Sequence, residues 1–224
     1  MSWKILLVLL WSVACAPGAD NLSAVFAKID QAAAKFKSLT ADIRRVTHTD
    51  VINEDTVDSG TIRLKRTRPR EMRMLIDLVE PDPKSVLVQG KKAEVYYPRI
   101  KTVQEWDLGK NRDLLDQFFL AGFGTTSHEL QEAYTVRLAG VETIAGQKTT
   151  HLELIPKSKE VLQHLKRFEL WIADENGLPV QQRFVPAGQS VLVTYTNLKV
   201  NADLPDSALK LQLPKGVKRE FPQK

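Results

Sequence analysis

From Asn21 onward apolar residues recur at Leu22, Val25, Phe26, Ile29, Ala33 and Phe36, while Lys28, Asp30 and Lys35 fall elsewhere. That spacing predicts a helix over Leu22 to Lys37 with one apolar face. The period then changes to two. Leu39, Ala41 and Ile43 alternate with Thr40, Asp42 and Arg44; Ile62 and Leu64 with Arg63 and Lys65; Met72, Met74, Ile76 and Leu78 with Glu71, Arg73, Leu75 and Asp77. Three successive strands with one apolar face point to an antiparallel meander. Further strands are expected at Ser85–Gln89, Ala93–Tyr97, Thr102–Asp107, Tyr134–Gly140, Lys148–Ile155, Phe168–Ala173, Val180–Val185 and Val191–Val200, with Gly, Pro and Asn turns between them. No repeat or linker interrupts the series, so residues 20–224 read as one mostly β domain.

Between Lys110 and Ala133 the spacing turns helical again, with Leu114, Leu115, Phe118 and Phe119, then the break Gly122-Phe123-Gly124. Thr126 and Glu129 fit a capping box for a short helix carrying Leu130 and Ala133. An apolar helical insertion within a strand series needs a surface to cover. Together with the N-terminal helix it would form a lid over a large sheet that curls without closing, and such a sheet leaves a cavity.

The first 19 residues stand apart. Lys4 precedes the apolar run Ile5–Val13, followed by the small residues Ala14 to Ala19 (Pro17 among them). This is the form of an export signal, with cleavage after Gly18 or after Ala19. A competing reading takes Cys15 as a lipid-modified first residue, although Ser12 stands where such sites usually carry Leu. Removal of residues 1–19 takes Lys4 and no acid, lowering the formal charge from +5 to +4, and takes the only cysteine. A thiol-free mature chain suits an oxidising periplasm. Elsewhere no apolar run approaches the ~20 residues of a membrane span, so the body reads as soluble.

Enzyme signatures are missing from the chain. There is no His-Glu-x-x-His, no Gly-x-Ser-x-Gly, no phosphate loop and no paired cysteines, and His48, His128, His151 and His164 are scattered. The expectation is a protein that is not an enzyme and uses neither metal nor cofactor. The basic cluster Arg63, Lys65, Arg66, Arg68, Arg70 and Arg73 is either the solvated face of a hairpin or a surface for anionic headgroups or an acidic partner. Nucleic acid is disfavoured, since no exposed aromatics interleave with those charges. The run Lys157 to Arg167 reads as a loop or short helix with Val161, Leu162 and Leu165 on its inner edge.

Several segments, in order, resemble the periplasmic outer-membrane lipoprotein carrier (LolA-like) family. They are Phe36-Lys37-Ser38-Leu39-Thr40-Ala41-Asp42-Ile43, then Gly60 to Arg66 followed by Arg68-Pro69, then Glu80-Pro81-Asp82 with Val86 to Gly90, Tyr96-Tyr97-Pro98, and Leu213-Pro214-Lys215-Gly216-Val217. The resemblance implies an unclosed antiparallel β-barrel of about eleven strands with a helical lid over an apolar cavity. It implies acyl chains of lipoproteins as the ligand, an inner-membrane lipoprotein-releasing transporter and an outer-membrane lipoprotein receptor as partners, and a monomer without cofactor. On the strand pattern the cavity would be lined by Ile43, Ile62, Leu64, Met72, Met74, Ile76, Val86, Val88 and Val95, and by Leu115, Phe118 and Phe119 of the lid; the bland alternative is an ordinary packed core.

In that family an arginine directly before a proline holds the lid closed. Arg68, before Pro69, is the best match, and Arg66 is its rival because Arg66-Thr67-Arg68 resembles a two-residue insertion. Met72 takes the place of the family's aromatic three residues after the proline. Other roles on the same scaffold are a lipid-anchored outer-membrane lipoprotein receptor and a lipid-binding sensor. The receptor's exposed apolar loop corresponds here to the charged segment Val79 to Lys84.

Overall fold

The computed structural model describes residues 17–68, 71–109 and 122–223. Residues 1–16 (Cys15 included), Pro69, Arg70 and the residues expected in the lid, Leu114, Leu115, Phe118 and Phe119, lie outside them.

Helix α1 (Pro17–Lys35) precedes a meander of β1 (Ser38–Thr49), β2 (Glu54–Arg68), β3 (Glu71–Glu80), β4 (Lys84–Gln89), β5 (Lys92–Tyr97) and β6 (Thr102–Asp107). After α2 (Ser127–Ala133) come β7 (Tyr134–Ile144), β8 (Gln147–Pro156), α3 (Lys159–His164), β9 (Arg167–Ala173), β10 (Pro179–Val185) and β11 (Gln189–Val200). The twelfth strand, β12 (Lys218–Glu220), goes beyond the eleven that the alternation predicts. All twelve form one sheet in the order β12-β6-β5-β4-β3-β2-β1-β11-β10-β9-β8-β7, antiparallel except for β12 beside β6. Because β7 and β12 end the order without meeting, the barrel is unclosed.

The sheet's two faces are used differently. Inner-face residues of β1 to β3, β7 to β9 and β11 share two clusters with the buried Val25, Ile29 and Phe36 of α1 and its end, and Ala33 is buried beside them. The C-terminal end of α1 is fixed by one side chain. Asn201 Nδ2 donates to the Lys35 carbonyl (2.8 Å), and Asn201 Oδ1 accepts from the Lys37 amide (2.7 Å). This satisfies a carbonyl that a helix end leaves without an intrahelical partner. On the outer face, Leu204 and Leu209 of the tail after β11 pack on Leu75 and Leu87, a small core that the sequence pattern did not reveal. Trp171, also outward, lies between the His151 ring (4.1 Å) and the Arg183 guanidinium (5.4 Å). Among the described residues no group of three or more His, Cys, Asp or Glu side chains that could hold a metal ion occurs.

Two cations of the basic cluster, Arg63 and Lys65, are paired with carboxylates within the molecule. Arg63 meets Asp77 (2.6 Å), and Lys65 meets Asp206 (2.8 Å) and the Leu204 carbonyl (2.9 Å). That lysine's hydrogen bond and charge hold the Asp206 carboxyl below its ordinary range. Lys65 thereby anchors the tail, and Arg63 joins β2 to β3.

Candidate functional site

Strand register places the expected inner-face residues together. Ile62 pairs with Ile76, Ile76 with Val86, and Val86 with Val95; Leu64 pairs with Met74, and Met74 with Val88. Two apolar rows thus run across β2 to β5 on one face. Ile43, Ile62, Leu64 and Met74 are buried in a cluster with Phe36, Leu39, Phe123, Leu178 and Tyr195. Met72, Ile76 and Val88 pack at its margin and, like Val86 and Val95, are half-buried. Cover is complete near β1 and thins toward β5.

The chain returns to this cluster at the glycine break. Phe123 inserts between Phe36 (centroids 6.4 Å apart) and Tyr195 (5.1 Å, edge to face). Tyr195 Oη donates to Gln182 Oε1 at 2.9 Å, and burial raises the pKa of the phenol. Gly124 has φ +74°, a conformation that costs a side-chain-bearing residue energy. A Cβ there would lie 2.5 Å from Arg66 Nη2 and 2.9 Å from Phe36 Cδ1, so the glycine also permits the approach of both.

Arg66 closes the arrangement. Its Nη2 donates to the Gly124 carbonyl (2.8 Å), and its guanidinium sits 5.9 Å from the centre of the Phe36 ring, within cation–π range. One side chain therefore joins β2, the end of α1 and the break before α2. Arg68 is 81% exposed and lies 3.8 Å from Glu71. Of the two arginines read from the sequence, the structure places Arg66 at the break. The reason is a β-bulge: Arg66 pairs with Met72 and Arg68 with Glu71, leaving Thr67 as the extra residue. The alternation Ile62, Leu64, Arg66 marks this arginine as inward, whereas Arg68, before Pro69, lies beyond the bulge.

Two more contacts seat the lid. Asp30 of α1 accepts from the Ser127 amide and hydroxyl, both at 2.7 Å. The expected capping box is present at the start of α2, with Thr126 N donating to Glu129 Oε2 (2.8 Å) and Glu129 N to Thr126 Oγ1 (3.2 Å). Beside Arg66 a cleft of about 690 Å³ opens between β1, β2 and the tail, lined by Lys37, Lys65, Arg68, Asn201, Asp203 and Leu204 among others. Arg66 borders both this cleft and the apolar interior.

A profile of the MucB/RseB N-terminal domain matches residues 69–213, more than half of the chain. The chain belongs to that family. Among curated proteins it is similar to an uncharacterized protein of Methanocaldococcus jannaschii, 25% identical over 140 residues, which are 62% of this chain and 38% of that protein. The chain therefore spans well under half of that relative's length. Among solved structures, MucB is 18% identical with a TM-score of 0.52, the match covering 88% of this chain and 64% of that one. A LolA superfamily protein from Nitrosomonas europaea is 15% identical with a TM-score of 0.41, covering 88% and 99%. Membership lies with the MucB/RseB N-terminal domains, and the likeness to the solved MucB structure shows the fold alone.

Proposed function

We propose that this MucB/RseB-family half-barrel is an exported, non-enzymatic binding protein that takes the acyl chains of a lipoprotein or lipid onto its inner face. One observation carries the reading: half-buried apolar rows on β3 to β5 adjoin a segment that Arg66, among other contacts, ties down at a glycine break. Each acyl methylene taken from water is worth ~0.8 kcal/mol. A hydrogen bond to a charged group contributes about 1.5–3 kcal/mol net, so a few methylenes offset the loss of the Arg66–Gly124 bond. Opening is also cheap on the protein side, because the guanidinium and carbonyl it frees can turn to water.

Two finer roles fit. In the first, the protein is a periplasmic carrier that receives lipoprotein from an inner-membrane releasing transporter and gives it to an outer-membrane receptor. In the second, acyl occupancy changes the hold on a protein partner, making the protein a sensor. Family membership favours the sensor, since MucB has been solved in complex with MucA.

The test is saturable uptake of a fluorescent fatty acid by the purified protein, by Arg66→Leu and by Arg68→Leu. Uptake should be faster in Arg66→Leu and unchanged in Arg68→Leu. No saturable uptake by any of the three would overturn the reading. Mass spectrometry of copurified acyl species then separates lipoprotein from free lipid.

A further inference from the structure

The two edges of the sheet are treated unequally. At one end β12 covers β6, held by Arg219, which pairs with both Glu94 and Glu105. At the other end β7 is an eleven-residue strand whose only strand partner among the described residues is β8. A long open edge offers main-chain donors and acceptors to any strand of fitting register, and proteins usually shorten, cover or charge such edges.

The side chains of β7 select one register. Pairing with β8 shifts between Leu138 and Gly140, so Ala139 is an extra, bulged residue. In an unbroken strand Arg137 and Glu142, five positions apart, would point to opposite faces. The bulge puts both outward: Arg137 lies 4.0 Å from Glu153 and Glu142 lies 3.0 Å from His151, both on the outer face of β8. Leu138 faces inward, packing against the core under α1, and the same count puts Val141 inward. Val141 is 60% exposed, one of the few large apolar side chains so placed.

We infer that β7 is a self-association edge, on which a second copy of this chain adds its own β7 antiparallel about a two-fold axis through the bulge. In that register Arg137 opposes Glu142 of the second copy, and Glu142 opposes its Arg137. Leu138 and Val141 face each other twice on the inner side, covering the exposed valine. Opposed residues of antiparallel strands share a face, and both pairs meet that condition. Arg137 and Glu142 are accessible enough to be reached, at 70% and 47% exposure. The occupant is a second copy because the edge is complementary in charge and apolarity to its own reverse.

Sedimentation equilibrium on the full chain tests this, with circular dichroism and thermal melting confirming that each variant folds. The wild type should show a monomer–dimer equilibrium that weakens with added salt. Arg137→Glu and Glu142→Arg should each weaken dimerisation at least about tenfold, since like charges then face each other twice. The doubly exchanged protein, Arg137→Glu with Glu142→Arg, should recover it. Val141→Lys, a change at an exposed position that the monomer tolerates, should abolish it. A wild type that stays monomeric up to about 1 mM overturns the inference. So does a dimer indifferent to Val141→Lys and to both single reversals.

Discussion

Two halves of the interior lie under one helix and are held shut by different means. Under the first half of α1, Val25 and Ile29 meet Leu130, Tyr134, Leu152, Leu154, Leu165, Phe168 and Leu170, a cluster capped by α2 and α3 and built almost wholly from buried apolar side chains. Under the second half, Phe36 and Phe123 meet a cluster into which the sequence has placed Arg66, Gln182, Tyr195 and a pair of glycines. The first closes by contact area, so opening it exposes apolar surface at ~25 cal/mol per Å². The second closes in part by directional bonds, whose partners water can replace. On the proposed function, the second half is the door.

The largest effect should come from cutting the sealed half. Phe168 is fully buried there, stacked on Phe184 (4.8 Å) and near Tyr134 (6.3 Å). Phe168→Ala should lower stability by about 3–5 kcal/mol in denaturant titrations. The fatty-acid affinity of the molecules that remain folded should change little. A loss of affinity without loss of stability would show that ligand enters this half, and the contrast between the halves would fail.

A smaller effect is expected at the door. Gly124→Ala puts a methyl 2.5 Å from Arg66 Nη2 and 2.9 Å from Phe36 Cδ1, on a backbone with φ +74°. The guanidinium must leave its carbonyl, at a cost of about 1–3 kcal/mol from strain and the lost bond together. Fatty-acid uptake should quicken as in Arg66→Leu. The two changes act on one contact, so the double variant should be no faster than either single one. Additive acceleration would mean that Gly124 and Arg66 hold the lid independently.

The sheet and the site differ in how far the sequence reveals them. Period-two runs disclose eleven strands because each buries one face, and Thr126 with Glu129 discloses the start of α2 because a capping box is local chemistry. Lys218–Glu220 escapes since a three-residue strand has no readable period, and what holds it is Arg219 reaching Glu94 and Glu105, more than a hundred positions away. The same holds for Leu204 and Leu209, whose partners Leu75 and Leu87 look like outward residues until the tail is folded onto them. Arg66 was within reach. Its parity with Ile62 and Leu64 places it inside, whereas the motif at Pro69 marks Arg68, which lies one bulge further along the strand.

The smallest effect separates two buried tyrosines. Tyr195, at the door, donates its hydroxyl to Gln182, whereas the Tyr134 hydroxyl, buried in the sealed half, has no hydrogen-bond partner among the described residues. Removing an unpartnered buried hydroxyl forfeits no bond, so Tyr134→Phe should leave stability at neutral pH unchanged or raise it by up to about 1 kcal/mol. Tyr195→Phe should instead lose about 1 kcal/mol. High pH widens the first difference. Burial pushes the Tyr134 pKa up to about 12 from an ordinary value near 10, so the unfolded chain ionises first as pH rises. The stability tied to the neutral phenol is complete below about pH 10 and drains away toward pH 12. Phenylalanine has no proton to lose, so the Tyr134→Phe protein should outlast the wild type in alkaline melts over that window. If Tyr134→Phe is instead destabilised by more than about 1 kcal/mol at neutral pH, its hydroxyl has a partner and the sealed half is not purely apolar.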